Sequence, residues 1–144
     1  MKSIRLFWLV LLLAFVACDD EPNQNPEGFT EFVANIDGDW KIDQVLQNGT
    51  DITGLLDFQS FSLQLNYDNG QPSSYVLSNL TTPFVLSSTD GNWSFDDPTY
   101  PTMINFSNGT SLVIEGPVLS GGNQLTVSVP LGCGTNTYVY RLSK

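Results

Sequence analysis

The sequence predicts an all-β domain in which about eight short antiparallel strands follow one another. Apolar and polar residues alternate with a period of two, most cleanly over residues 61–67. Asn-Gly, Asp-Gly and Gly-Gly pairs separate the strand-like segments, as tight hairpin turns require. No segment shows the period of a long helix. These features are typical of a barrel or a sandwich, and the sequential hairpins favour an eight-stranded antiparallel up-and-down barrel.

The first predicted strand contains Trp40 and Ile42 and ends at the turn Asn48-Gly49. The second covers residues 61–67 and reverses at 68–70. The later predicted strands are 75–77, 84–86, 93–95, 103–106, 112–114, 125–129 and 137–142. A barrel of about eight strands has an interior that side chains nearly fill, or that holds one small ligand.

Residues 29–36 show a different pattern. Phe29, Phe32, Val33 and Ile36 are spaced so that one face of a helix would carry all four. We expect a short helix, or a cap, over one end of the domain.

The N-terminus resembles a secretory signal. Lys2 and Arg5 precede the wholly apolar run 6–17, which is shorter than the roughly 20 residues that span a bilayer. The sequence Phe-Val-Ala-Cys over 15–18 resembles the lipobox of bacterial lipoproteins. We therefore predict a signal peptide over 1–17 and lipidation of Cys18, which would attach the chain to a membrane through its acyl chains.

Residues 18–28 contain two prolines and no large apolar residue, so we predict a flexible acidic tether before a barrel domain over 29–144. The acidic residues Asp19, Asp20 and Glu21 resemble the export signals of surface lipoproteins in Bacteroidota. A different rule, known for enterobacteria, takes Asp after the cysteine as a signal for inner-membrane retention. We expect a cell-envelope protein anchored to the outer membrane, on either its periplasmic or its surface side.

The charge of the chain restricts its partners. The full sequence has a formal net charge of −10. Without Lys2 and Arg5, three basic residues remain against fifteen acidic ones, which gives −12. Such a surface repels phosphate backbones and anionic headgroups, so nucleic acid is not expected as a partner and the domain is expected to stand off the membrane.

The residue inventory argues against catalysis. The sequence contains no His, which excludes Ser-His-Asp and Cys-His nucleophiles and most zinc sites. With Cys18 lipidated, Cys133 has no disulfide partner and is expected as a small buried residue. No glycine-rich phosphate loop is found. We therefore predict no enzyme and no cofactor.

Two groups of acidic residues are candidate sites in the sequence. Adjacent carboxylates such as Asp96-Asp97 point apart, so we expect a turn before Pro98 rather than a glycosidase pair. The cluster Asn35, Asp37, Asp39 and Asp43 does not match the spacing of an EF-hand loop, and we predict no metal site. A hydrolase that uses carboxylates alone is the least favoured function.

The segment Gly38-Asp39-Trp40 resembles the Gly-x-Trp opening of lipocalins, and the resemblance implies that Arg141 packs on Trp40 to close the barrel. Gly-x-Trp recurs at 91–93. A longer ordered set resembles a Bacteroidota family of lipocalin-like lipoproteins of unknown function, which implies a calycin-like barrel in the cell envelope. The segments that carry this resemblance are 38–41, 47–53, 57–58, 83–84, 91–98, 100–101, 132–133 and 136–138.

We therefore predict a non-catalytic, membrane-anchored barrel that binds a small apolar ligand or a glycan. The alternative is a structural or accessory subunit of an envelope complex, in the setting of glycan uptake, that acts through its outer surface. An interior pocket larger than roughly 300 Å³ would favour binding, and a filled interior would favour the accessory role. The tyrosines whose hydroxyls reach a mouth or a surface in this prediction are Tyr67, Tyr75, Tyr100 and Tyr138.

Overall fold

The computed structural model describes residues 32–78, 86–131 and 135–144. These residues form nine β-strands and no helix, and therefore no helix that could cross a membrane. The strands are β1 (Gly38–Gln47), β2 (Thr50–Asp51), β3 (Ser62–Asp68), β4 (Gln71–Ser78), β5 (Asp90–Phe95), β6 (Met103–Phe106), β7 (Ser111–Ile114), β8 (Gln124–Leu131) and β9 (Asn136–Ser143).

The strands close into an antiparallel barrel. From β3 to β9 each strand pairs with the next in sequence, and β1 pairs with both β3 and β9. The short strand β2 pairs only with the end of β1 and is an addition to the eight strands of the barrel. The prediction of an eight-stranded up-and-down barrel is confirmed, and its closure leaves the long strands without free edges.

Two strands change partners along their length, which lets the sheet curve. Residues Gly38, Asp39 and Trp40 of β1 pair with β3, and the rest of β1 pairs with β9 across an irregularity between Ile42 and Gln44. Strand β5 pairs with β4 at its start and with β6 from Trp93 onward.

The interior of the barrel is filled by the inward phase of the strands. Trp40, Leu65, Tyr75 and Val127 are completely buried, and Phe58 and Phe61, from the loop that follows β2, belong to the same core. The indole N–H groups of Trp40 and Trp93 are both paired: Trp40 Nε1 donates to the carbonyl of Ile36 at 2.8 Å, and Trp93 Nε1 donates to that of Asn66 at 3.2 Å. Within the described residues, apolar packing therefore maintains the fold and no buried side-chain N or O atom lacks a hydrogen-bond partner.

The two ends of the barrel differ. At the end where β1 begins, which we call the closed end, lie the turn 69–70 and the loops 96–102 and 115–123. At the end where β1 finishes, which we call the mouth, lie the loop 52–61 and the turn 107–110. The chain enters at the closed end and reaches the mouth only after the ten residues of β1.

The predicted helix over 29–36 is wrong for the described part, 32–36. These residues are extended, with Ala34 and Ile36 buried and Asn35 exposed, which is a period of two. The extended form prevails because loops satisfy its backbone: Ala34 N–H donates to Pro98 O at 2.8 Å, and Gly121 N–H donates to Asn35 O at 3.1 Å. The alternative prediction of a cap is correct, since this segment covers the closed end.

Some predictions lie outside the described residues. These are the signal peptide, Cys18, the tether, Cys133 and positions 84–85 of the predicted strand 84–86. Leu86 is buried but lies outside any strand.

Candidate functional site

An apolar pocket of about 380 Å³ opens at the mouth of the barrel. The lining residues come from the ends of three strands and from the loop after β2. They are Gln47, Ile52, Leu55, Leu56, Phe58, Leu131, Tyr138 and Tyr140. The volume lies toward the lower end of the range that is typical of small-molecule sites.

The strands supply one wall of the pocket. Tyr138 and Tyr140 alternate with outward residues along β9, and their rings are stacked with centroids 6.5 Å apart and planes 17° apart. Leu131 at the end of β8 and Gln47 at the end of β1 share the inward phase of their strands. The wall is therefore set by strand register rather than by a loop.

The opposite wall is a loop held by successive tight turns. Ile52 N–H donates to Val45 O at 2.9 Å, and Val45 N–H donates to Thr53 Oγ1 at 2.9 Å. Further turns join Leu55 N–H to Ile52 O at 2.9 Å and Phe58 N–H to Leu56 O at 2.9 Å. Phe58 is thereby placed in the core, while Leu55 is 75% exposed at the rim.

Asp51 fixes the start of this loop. Its carboxylate accepts hydrogen bonds from Thr53 Oγ1 at 2.6 Å, Thr53 N–H at 2.9 Å and Gln44 Nε2 at 2.7 Å. The Thr53 hydroxyl first, and then Gln44, lower the pKa of Asp51 to about 2. The anion holds the turn together and does not line the pocket.

The chemistry of the pocket is that of an uncharged site. Among the residues that line it, only Gln47, Tyr138 and Tyr140 carry polar side-chain atoms, and none carries a formal charge at neutral pH. Burial raises the pKa of Tyr140 to about 12, so its hydroxyl stays neutral. The pocket offers apolar contact with a few hydrogen-bonding groups, which is the usual composition of a site for a small apolar molecule.

Of the four tyrosines predicted as ligand contacts, Tyr138 alone lines this pocket. Tyr75 is fully buried, with its hydroxyl 2.7 Å from Ser88 Oγ. Tyr67 and Tyr100 belong to the closed end, where the Tyr67 hydroxyl donates to Ala34 O at 2.7 Å and Tyr100 is exposed.

Tyr140 and the loop residues Ile52, Leu55 and Leu56 line the pocket but were not among the predicted ligand contacts. The signal that could have found the loop is the adjacent pair Leu55-Leu56 in a turn-rich stretch, because two neighbouring leucines cannot both face a core from an extended chain. Tyr140 shares the parity of Tyr138 along the last strand.

The predicted contact between Arg141 and Trp40 is replaced by a different one. Arg141 lies between the inward residues Tyr140 and Leu142, so it points outward, and its Nη1 donates to Gln44 Oε1 at 2.7 Å. Lys144 has the inward parity, and its Nζ lies 4.8 Å from the Trp40 ring centroid. The first strand and the C-terminus are thus joined through a cation and Trp40, but the cation is lysine.

The adjacent carboxylates Asp96 and Asp97 serve a loop, as predicted. Asp96 Oδ1 accepts the N–H groups of Thr102 at 2.9 Å and Met103 at 2.8 Å, and Asp97 Oδ1 accepts that of Tyr100 at 2.8 Å. The hydroxyl of Thr102, followed by the backbone of Met103, holds the pKa of Asp96 well below its usual range.

The acidic cluster near β1 is divided among separate partners. Asn35 Oδ1 accepts the N–H of Asp37 at 2.8 Å, Asp39 accepts the Ser62 hydroxyl, and Asp43 Oδ1 accepts the Ser143 hydroxyl at 2.8 Å. Within residues 32–78, 86–131 and 135–144, no three His, Cys, Asp or Glu side chains are grouped so that they could hold a metal ion.

Comparison with known proteins gives one match. A family model described as a domain of unknown function, DUF5004, matches residues 19–143. No curated protein and no solved structure matches the chain.

Proposed function

We propose that this chain, which belongs to the DUF5004 family, is a lipid-anchored envelope protein whose barrel binds a small apolar ligand at its mouth without catalysis. The observation that carries the proposal is the apolar pocket of about 380 Å³, which exceeds the roughly 300 Å³ at which binding sites begin. The lipocalin-like character of the barrel, the anchor at Cys18 and the Bacteroidota origin belong to this proposal as well.

The composition of the pocket favours an apolar ligand over a glycan. A glycan site needs hydrogen-bonding groups around an exposed aromatic face, whereas five of the eight lining residues here are Ile, Leu or Phe. The net charge of −10 also disfavours an anionic ligand. An uncharged molecule with an apolar body and a hydrogen-bonding group for Tyr138 is the best match.

The non-catalytic part of the proposal is supported by the lack of His in the sequence and by the hydrogen bonds that the most suggestive carboxylates already accept. The sequence has no His, and both carboxylates of Asp96-Asp97 accept backbone N–H groups in the loop before β6. The proposed location is the outer membrane, on its periplasmic or its surface side, with the lipid on Cys18 as the anchor.

The experiment uses N-phenyl-1-naphthylamine, an uncharged apolar probe that fluoresces when it leaves water. A soluble form that begins at Asp19, and therefore lacks Cys18, is titrated with the probe, together with Tyr138→Ala and the matched control Tyr100→Ala. We expect saturable fluorescence that Tyr138→Ala weakens at least fivefold and Tyr100→Ala leaves unchanged, because Tyr138 lines the pocket and Tyr100 lies at the closed end. Equal affinities in all three chains would contradict the proposal.

A second candidate rests on the packing of the interior. Trp40, Phe61 and Tyr75 are buried in the core of the barrel, so an accessory subunit of an envelope complex would act through its outer surface. This candidate is favoured if the probe does not bind while the tagged protein, cross-linked in intact cells, recovers a defined set of envelope proteins.

A further inference from the structure

The mouth pocket has the size and the lining for one unbranched apolar chain. Its inner side is buried, with Phe58 at 1% and Tyr140 at 2% exposure, and its rim is open, with Leu55 at 75% and Leu56 at 51%. A volume of about 380 Å³ holds about a dozen groups of the size of a water molecule, each of which takes roughly 30 Å³. A chain of about ten carbons would therefore fill the pocket and end at the rim.

The polar head of such a ligand has to stay at the rim. None of the residues that line the pocket carries a formal charge, and an ion that left water for an apolar site would lose its hydration without gaining a partner. The loop 52–61 supplies the exposed rim through Leu55 and Leu56. The charges of this loop, and of its neighbours at the mouth, therefore act on the head group.

The described residues at the mouth carry only negative charge. They contain three carboxylates and no Lys or Arg, over 47–61, 86–90, 107–110, 131 and 135–138. The carboxylates belong to Asp51, to Asp57 and to Asp90, which pairs with Val76 near the mouth end of β4. The segments 79–85 and 132–134 contain no Lys or Arg in their sequence. The rim is therefore anionic, although the pocket itself is uncharged.

The three cations of the barrel domain lie away from this rim. Lys144 lies at the closed end, and Lys41 is exposed on β1 six residues, about 20 Å, before the strand ends. Arg141 points outward and, through a shared hydrogen-bond partner, offsets part of the charge of Asp51. Asp57 is therefore the main charge that a head group at the rim would meet.

We propose that Asp57 selects the ligand of the mouth pocket by head-group charge, so that the pocket accepts a single-chain amphiphile with a neutral or positive head and rejects one with an anionic head. The inference rests on the proposed function, because it requires an apolar chain in the pocket. Asp57 is exposed and lies between Leu56 and Phe58, which both line the pocket. Adjacent Cα atoms are about 3.8 Å apart, so its carboxylate lies within about 10 Å of the head group.

The expected selectivity follows from Coulomb's law. At about 10 Å in water, one pair of unit charges changes a dissociation constant about twofold. A cationic and an anionic head respond in opposite directions, so one carboxylate separates their affinities about fourfold. The Debye length is about 30 Å at 0.01 M salt and about 3 Å at 1 M, so the separation should be present in dilute buffer and absent at high salt.

The experiment displaces the naphthylamine probe from the soluble form that begins at Asp19, in about 0.01 M salt. The competitors share a ten-carbon chain and differ in the head group: decylammonium, decanoate and the uncharged 1-decanol. We expect decanoate to displace the probe at least about fivefold less effectively than decylammonium, because Asp51 and Asp90 add to the effect of Asp57. In Asp57→Asn this difference should fall about fourfold, while displacement by 1-decanol stays the same.

Asp68→Asn is the matched control, because it removes the same charge from the turn at the closed end. It should leave the difference between decylammonium and decanoate unchanged. The selection by Asp57 is wrong if the two ions displace the probe equally, if their difference persists in about 1 M salt, or if both variants change it alike. The proposed function would then still stand on the binding of the probe. If the probe and 1-decanol do not compete for a site that Tyr138→Ala weakens, the proposed function is wrong, and the selection is wrong with it.

Discussion

Replacing Tyr67 by Phe tests how the entry chain is held on the closed end. The Tyr67 hydroxyl accepts the N–H of Ile36 at 3.1 Å and donates to the carbonyl of Ala34 at 2.7 Å. Phe keeps the ring and its edge contact with Trp93, whose centroid is 5.3 Å away. The change therefore removes two hydrogen bonds and little else.

The magnitude follows from those two bonds. Each intramolecular hydrogen bond contributes about 1 kcal/mol net, and the backbone groups left behind are only partly reached by water. We expect Tyr67→Phe to lower the free energy of unfolding by about 2 kcal/mol, which in a domain of this size lowers Tm by roughly 8 °C. Tyr100→Phe, on an exposed side chain, is the matched control and should change stability by less than about 0.5 kcal/mol.

The assay is urea denaturation of both variants and the parent, combined with hydrogen exchange of the Ile36 amide. The exchange protection of that amide should fall in Tyr67→Phe, because its acceptor is gone. A stability loss below about 0.5 kcal/mol, with the amide still protected, would refute the role given to the hydroxyl.

The same side chain predicts a pH dependence. Burial raises the pKa of Tyr67 to about 12, Asp37 acts in the same direction, and the Ile36 N–H opposes both. A raised pKa means that the folded state favours the neutral phenol. The contribution of the neutral Tyr67 phenol to the free energy of unfolding is therefore complete below pH 10, and it is lost as the pH rises toward about 12. Tyr67→Phe should show a shallower loss of stability over that interval.

Three further predictions concern the core and the barrel ends. Gly91→Ala should lower the free energy of unfolding, measured by urea denaturation, by about 2 kcal/mol, because a Cβ there would lie 2.9 Å from Tyr75 Cε1. The control Gly54→Ala should lower it by less than about 0.5 kcal/mol, because no atom lies within 4 Å of a Cβ at that position. Lys144→Met should lower the free energy of unfolding by about 1 kcal/mol, because the Lys144 ammonium lies over the Trp40 ring. Arg141→Met should lower it by less than about 0.5 kcal/mol. If thermal melts show the larger loss for Arg141→Met, Arg141 and not Lys144 is the cation that stabilises Trp40. Tyr140→Phe should lessen the decline in stability between pH 10 and about 12, because burial raises the pKa of Tyr140 to about 12. Identical pH profiles of stability for the parent and Tyr140→Phe would contradict this effect of burial.

Strand register was readable from the sequence where one face of a strand is buried. Leu63 and Leu65 alternate with polar residues, and a shift by one residue would turn every apolar side chain of β3 to water. The same parity rule, applied to β9, places Arg141 outside and Lys144 inside. The resemblance to lipocalins implied that Arg141 points inward and packs on Trp40. The alternation along β9 instead turns Arg141 outward to Gln44, and Lys144 lies over the Trp40 ring.

The entry chain shows why local spacing failed at residues 32–36. Phe32, Val33 and Ile36 have helical spacing, but the backbone partners on loops 96–102 and 115–123 are more than sixty positions away in sequence. Local propensity is weak beside such hydrogen bonds. The pocket was missed for a related reason, since its walls come from β1, β8, β9 and a loop that meet only when the barrel closes.

The sequence by itself determined the all-β class, the order of hairpins and the turn at Asp96-Asp97, because alternation and turn chemistry act between near neighbours. The tertiary structure alone decided which cation meets Trp40 and which tyrosines line the mouth. Those outcomes depend on residues far apart in sequence, whose proximity is fixed only when β1 pairs with β9 and closes the barrel.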